Sequence, residues 1–243
     1  MKQVLRNHTH DSKIILTICD CDGVKFAKKS SYTTDGINEL KREMSGYSWY
    51  LNQINSTLLV DKFSIGDSFF QIKIPFFETK GSVRKKISSE NFRFFTRAID
   101  HYKDVWCQNG SQHALFNIHG DFSLDGNILF YENSIFVIDW EHFSEKLSPK
   151  GFDVLYMIFE SIKITCGAKL PELHILNLGK NLIQYAYSAN VLDEIYSTDT
   201  LEKFLEEQEK IETLWGDQIG KVPTRQFNSK QLDVMIPYFN STF

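Results

Sequence analysis

The segment HGDFSLDGNILFYENSIFVIDWE, residues 119–141, constrains the chain more than any other. It sets two short apolar runs, ILFY and IFVI, inside a dense collection of His, Asp, Asn and Glu, with ENS between the runs. Apolar runs of this length around a polar turn read as the two strands of a hairpin. Asn127 immediately precedes the first run and Asp139 immediately follows the second, so pairing the runs brings these two residues together at the open end. Asp121, six residues before Asn127, lies in the loop entering the hairpin. Three oxygen-bearing side chains can therefore converge. On spacing alone, a polar hairpin whose Asp and Asn serve only as turn formers fits equally well.

Oxygen ligands of this kind suit a hard divalent cation such as Mg²⁺, which takes one or two protein oxygens and completes its shell with water and substrate phosphates. A second carboxylate nearby can accept a proton from an attacking hydroxyl. Phosphoryl transfer needs this small set of groups, because the protein's work there is positioning and charge neutralisation.

Around this segment the pattern changes from strand to helix. Residues 13–19 and 24–29 are β-prone and are joined by DCDG, a hairpin turn signal, with a possible first strand near residues 3–5. Ile37, Leu40, Met44, Tyr47 and Leu51 then recur at helical spacing, interrupted by Gly46. Strand-like pieces follow at 57–63 and 69–76. Phe92, Phe95, Ile99, Tyr102 and Trp106 mark a helix over 89–107, with Ser89 as its expected cap. Further helices are expected at 152–166, 171–188 and 200–215, and the chain past residue 89 is otherwise helical apart from the opening segment. The order predicts an α+β fold in two lobes, a small β-rich lobe over 1–76 and a larger helical lobe over 77–243, with a cleft between them.

Composition narrows the partners. With 243 residues, 42% of them hydrophobic, there is material for packed cores, and a net charge of −4 provides no general attraction to nucleic acid or anionic membrane. Cys19, Cys21, Cys107 and Cys166 show no metal-ligand spacing and read as free thiols of a reducing compartment. No run approaches the roughly 20 apolar residues of a membrane span. The expectation is a cytoplasmic protein without membrane insertion or a nucleic-acid polymer as partner.

The motif HGD followed by GN and an apolar strand, then by a strand ending in IDWE, resembles the catalytic segment of the aminoglycoside phosphotransferase and choline kinase family, which has the protein-kinase-like fold. The resemblance implies that Asp121 is the catalytic base, that Asn127 binds Mg²⁺ and that Asp139 is the principal metal ligand. It also implies structural roles for His119 under the loop and for Asp153 in GFDVLYMIF as a brace. One departure stands out: FSLDG puts one residue more between Asp121 and Asn127 than the family has, so the loop must bulge, and Asp125 is an alternative to Asn127.

Such a site also needs a cation for the nucleotide phosphates and a carboxylate to hold that cation. The first helix carries Glu39 and Glu43; Glu43 lies on its apolar side more than Glu39 does and, buried there, requires a partner. Lys29 or Lys28 can supply it. Alternation puts Ala27 and Lys29 on one strand face and Phe26 and Lys28 on the other; Ala-x-Lys resembles the protein-kinase pattern and favours Lys29. The loop NHTHDS lacks the glycines with which protein kinases cover phosphate, and IKIPFF resembles the linker between lobes.

The implied activity is transfer of the γ-phosphoryl group of ATP, with Mg²⁺, to the hydroxyl of a small molecule. The acidic stretch around 192–217 can form a wall recognising an amine-bearing acceptor, with Trp215, Tyr187 and Tyr196 as candidate lining. The shortness of the chain favours a small acceptor, and E-x-x-G-x-x-W-Y at 43–50 resembles kinase-like proteins of bacterial polysaccharide loci. A nucleotide-binding pseudokinase acting as a binding or scaffold module is the competing reading. A metal-dependent phosphohydrolase would need more clustered ligands than the sequence offers.

Overall fold

The computed structural model describes residues 2–7, 13–21, 24–58, 60–76, 86–108, 115–124, 126–131, 134–219 and 227–240. Five strands, β1 (Lys2–Asn7), β2 (Lys13–Cys21), β3 (Val24–Ser31), β4 (Asp61–Ile65) and β5 (Phe69–Pro75), form one antiparallel sheet in the order β1-β2-β3-β5-β4. Helix α1 (Thr34–Gln53) lies between β3 and β4 in the chain and packs on this sheet. Its first turn is capped by Thr33, whose hydroxyl accepts the Gly36 N–H at 3.2 Å.

Strand alternation builds the face that α1 covers. Along β5, Phe70, Ile72 and Ile74 are buried while their neighbours are not, and along β3 the buried residues are Ala27, Lys29 and Ser31. The register sets Lys29 opposite Ile72, so an ammonium stem enters the middle of an apolar face. From α1 the same interior receives Ile37, Leu40, Tyr47, Tyr50 and Leu51, together with Glu43.

The rest of the chain is mainly helical. It comprises α2 (Phe92–Trp106), β6 (Phe116–Ile118), β7 (Ile128–Tyr131), β8 (Ser134–Val137), β9 (Ser144–Ser148), α3 (Phe152–Cys166), α4 (Leu173–Ser188), a 3₁₀ turn (Glu194–Tyr196), α5 (Thr200–Ile219) and α6 (Ser229–Asn240). Helix α3 is buried on every side over residues 152–159 and is the axis of this part. Strands β7 and β8 form the expected hairpin, with Ile128 opposite Val137. Among the described residues no helix is long and apolar enough to cross a membrane, and Cys19, Cys107 and Cys166 are free.

The structure corrects the expected elements in several places. The strand expected at 57–63 runs over Asp61–Ile65, because the turn at Gly66 pairs Ile65 with Phe69 and the ladder extends back only to Asp61 opposite Lys73. Ser89 does not cap α2. The N-cap is Asn91, without a side-chain cap bond, and Ser88 takes the Asn91 N–H into the preceding turn. Strand β9 is the polar SEKLS, paired with β6 across the intervening hairpin segment, so no apolar period announces it. Helix α6 carries Pro237 inside it, yet buries Met235 and Phe239, the latter edge-on to Phe159 at 5.3 Å. The DCDG turn falls partly, and the loop of residues 8–12 wholly, outside the described residues.

Trp140, fully buried, joins the two parts. Its ring stacks on Trp106 of α2 (5.8 Å, 14°), meets Trp49 and Tyr50 of α1 (5.8 and 5.2 Å) and takes the edge of His119 (4.5 Å). Gly46 permits this approach: a Cβ there would come within 2.6 Å of the Trp140 Cβ. Replacing Trp140 by Ala should therefore lower the unfolding free energy by about 3–5 kcal/mol in urea denaturation. A loss below about 1 kcal/mol would show that the cluster does not organise the fold.

Candidate active site

Strand β3, the first helix, the hairpin with the loop before it and α3 together position the side chains of the site. On β3, the Lys29 ammonium lies 2.6 Å from Glu43 Oε1 and 2.7 Å from Asp139 Oδ1. Burial alone would depress the Lys29 pKa, but the carboxylates of Asp139 and Glu43 overcome it and hold the ammonium well above its ordinary range. Burial likewise presses the Glu43 carboxyl upward, and Lys29 presses it back. Lys28 does not join this cluster. One residue along the strand it projects to the opposite face, where its ammonium lies 5.7 Å from the centre of the Phe26 ring.

The loop from His119 to Asn127 is held from below by Asp153, the first-turn acid of α3. Its Oδ2 accepts the His119 N–H at 2.8 Å and its Oδ1 the Gly120 N–H at 3.0 Å. Gly120 has φ +84°, and a Cβ there would sit 2.7 Å from both His142 Cβ and Trp215 Cη2. The His119 ring is also fixed. Its Nε2 lies 2.9 Å from the Ile138 carbonyl, which can only accept, so Nε2 carries the proton and the bare Nδ1 accepts the Asp121 N–H at 3.2 Å.

Asp121 sits at the end of this scaffold, half-buried. The Asn127 side-chain amide donates to its Oδ2 at 2.9 Å and to its backbone carbonyl at 2.8 Å, and the Tyr156 hydroxyl of α3 donates to Oδ1 at 3.2 Å. The turn before Asn127 is closed by the Ile128 N–H, which bonds to Ser123 O at 3.1 Å, and Gly126 takes φ +118° in it. Asp125, the alternative to Asn127, lies outside the described residues. Across the hairpin the Ile138 N–H donates to the Asn127 carbonyl at 2.9 Å, which places Asn127 beside the residue preceding Asp139. The structure thus gathers Lys29, Glu43, Asp139, Asn127 and Asp121, and leaves out Lys28.

No protein-family model matches the chain, and no curated protein matches it. Solved structures similar to it include the ternary complex of streptomycin, ATP and APH(2")-IIa, at TM-score 0.48 and 15% identity over 98% of this chain and 93% of that one. Spectinomycin phosphotransferase APH(9)-Ia with ADP and spectinomycin is similar at 0.42 and 14% over 99% and 89%. WaaP in complex with acyl carrier protein is similar at 0.43 and 12% over 86% and 89%. At such levels the likeness carries no chemistry to this chain, and the site has to be read from its own side chains.

Those side chains fit a hard cation. Both groups that bind the Asn127 amide are acceptors, so its NH₂ faces Asp121 and its carbonyl oxygen is turned away from it. Asp139 contributes a carboxylate at the same end of the hairpin. Among the described residues no group of three His, Cys, Asp or Glu gathers as a metal cage. One carboxylate and one amide oxygen instead match an ion that keeps water and phosphate oxygens in its shell.

The residues expected to line a pocket separate in the structure. A cavity of about 370 Å³ lies between α3 and α5, with Tyr156, Phe159 and Glu160 on one side and Phe204, Glu209 and Glu212 on the other. The acidic stretch thus does line a cavity; of the three expected aromatics Trp215 lines a smaller adjoining hollow with Gly120, Tyr156 and Glu212, and Tyr187 and Tyr196 line neither. Trp215 is buried against His142 at 5.7 Å, Tyr196 is fully buried, and Tyr187 packs against the core. Sequence reasoning passed over Tyr47 and Tyr156, which at helical spacing read as core. The available signal is that a buried tyrosine hydroxyl needs a hydrogen-bond partner.

Burial lowers the His119 pKa from 6.5 to about 4. A depressed imidazole supports folding above 6.5, where both states are neutral, and that support is lost as pH falls towards 4 because the unfolded chain takes up the proton first. Asp153 acts in the opposite sense: burial raises its carboxyl from 3.8 to about 7 against two amide bonds, so its contribution favours the fold at low pH and is lost as pH rises through 7. Because the two offset each other in a melting curve, His119 should be followed directly. Its imidazole resonances should titrate near pH 4, and a midpoint near 6.5 would contradict this burial.

Proposed function

We propose that this chain is an ATP- and Mg²⁺-dependent phosphotransferase acting on the hydroxyl of a small molecule. The observation that supports this most is the division of labour on one hairpin. The Asp139 carboxylate, suited to a cation, stands beside the Lys29 ammonium, suited to phosphate, while Asp121 is set between amide and hydroxyl donors at the end of the braced loop. In this reading residues 1–76 form the nucleotide-binding lobe and residues 77–243 the lobe holding the catalytic loop and the acceptor.

Lys29 has three N–H donors, of which the two carboxylates engage two, leaving the third for a phosphate oxygen. Asp139 and Asn127 would hold Mg²⁺, which when bound neutralises phosphate charge. Asp121 accepts the proton of the acceptor hydroxyl as its oxygen bonds to the γ-phosphorus and ADP departs. The cavity between α3 and α5 reaches Asp121 through Tyr156, and its size, aromatic walls and carboxylates suit a compact sugar or glycan precursor, an amino alcohol or an aminoglycoside.

The test is calorimetry with ATP, with and without Mg²⁺, followed by an ATP-consumption screen over sugars, amino alcohols and aminoglycosides. Asp121→Asn should leave Mg²⁺-nucleotide affinity within about twofold and cut transfer by about 10²–10⁴-fold, whereas Asp139→Ala should weaken both. Full transfer by Asp121→Asn would overturn the mechanism. Mg²⁺-nucleotide binding with no transfer to any acceptor class would favour the pseudokinase reading.

A further inference from the structure

Asp139 has φ +65°, in the left-handed region that a residue with a side chain adopts only when its surroundings demand it. Lys29 fixes its carboxylate and Trp140 anchors the following residue, but neither holds the peptide group that sets the backbone turn. That contact comes from α1: the Tyr47 hydroxyl accepts the Asp139 N–H at 3.3 Å. Tyr47 is 3% exposed, its ring lies against Trp140 at 6.5 Å, and it stands four residues after Glu43 on the same face of the helix.

We infer that Tyr47 is a positioning residue that locks Asp139 in its left-handed turn and so ties the metal-binding carboxylate to the helix that carries Glu43. This rests on the function proposed above. A single helical turn then supplies both restraints, Glu43 on the ammonium of Lys29 and Tyr47 on the backbone of Asp139. Glu43 Oε2 is buried and has no hydrogen-bond partner among the described residues, and it lies on the same helical face as the Tyr47 phenol. Burial, and then the charge of Glu43, push the Tyr47 pKa upward, which keeps its hydroxyl protonated and neutral. A shift of α1 would move both restraints together, so α1 and the Asp139 turn are one mechanical unit.

Tyr47→Phe keeps the ring and removes the acceptor. In the protein without nucleotide or metal, the Asp139 amide should exchange with solvent at least about tenfold faster in this variant, read by NMR, because its N–H has lost its partner. The ratio of ATP affinities with and without Mg²⁺ should fall by about 10–100-fold, the usual effect of losing a contact that orients a metal ligand, while Mg²⁺-free affinity is unchanged. Tyr50→Phe is the control for mere destabilisation, since the Tyr50 hydroxyl accepts the Val137 N–H at 3.1 Å on the same helix; it should leave the ratio unchanged. Unaltered Asp139 exchange in Tyr47→Phe, or an equal fall of the ratio in both variants, would overturn the inference. A wild-type protein whose ATP affinity ignores Mg²⁺ would instead refute the functional reading, leaving the exchange measurement to decide the role of Tyr47.

Discussion

The ammonium of Lys29, a residue only 7% exposed and set opposite Ile72 on the apolar face of a sheet, is the constraint that the rest of this structure accommodates. A charge in that place is tolerable only if it is paired and hydrogen-bonded, and removing one partner from such a pair costs several kcal/mol. Glu43 answers from α1 and Asp139 from the end of the β7–β8 hairpin. Sheet, helix and hairpin are thereby brought to one point. The aromatic cluster around Trp140 supplies the apolar energy for the same junction, since its rings come from α1, α2 and the residue following Asp139.

Around that point the chain relies on side-chain hydrogen bonds to backbone groups. His119 is uncharged and acts as a strut, receiving the Asp121 N–H and donating to Ile138 O. Asp153 accepts two loop amides and never reaches the surface. Tyr50 accepts the Val137 N–H and donates to Ile135 O, stitching α1 to β8, and Arg42 reaches the Glu141 carbonyl from the same helix. These contacts satisfy backbone groups that the short hairpin leaves unpaired, as buried polar groups require. The loop backbone at His119, Gly120 and Asp121 is therefore irregular in path but held by hydrogen bonds at each residue.

Much of the site could be read from the residues because its logic is local. Asn127 and Asp139 flank two apolar runs that must pair, Glu43 falls on the apolar stripe of a helix, and period-two alternation separates Lys29 from Lys28. The extra residue between Asp121 and Asn127 left the choice between Asn127 and Asp125 open, and nothing in the spacing announced that the Asn127 amide would bond the Asp121 carboxylate across a turn with Gly126 at φ +118°. Tyr47 and Tyr156 were invisible as site residues. Their spacing says core, which is true of their rings, but nothing in the spacing says where a hydroxyl points.

By itself the sequence determined the hairpin, the amphipathic helices and the residue types able to meet at the hairpin's open end, because hydrophobic period and turn chemistry act over a few residues. Tertiary structure decided what depends on separation: the β6–β9 pairing of a polar strand, the burial of a proline-containing α6, the choice of Lys29 by its two carboxylates and the cavity between α3 and α5. Those features arise where segments distant in the chain compete for the same volume and the same hydrogen bonds, and no local pattern encodes the outcome of that competition.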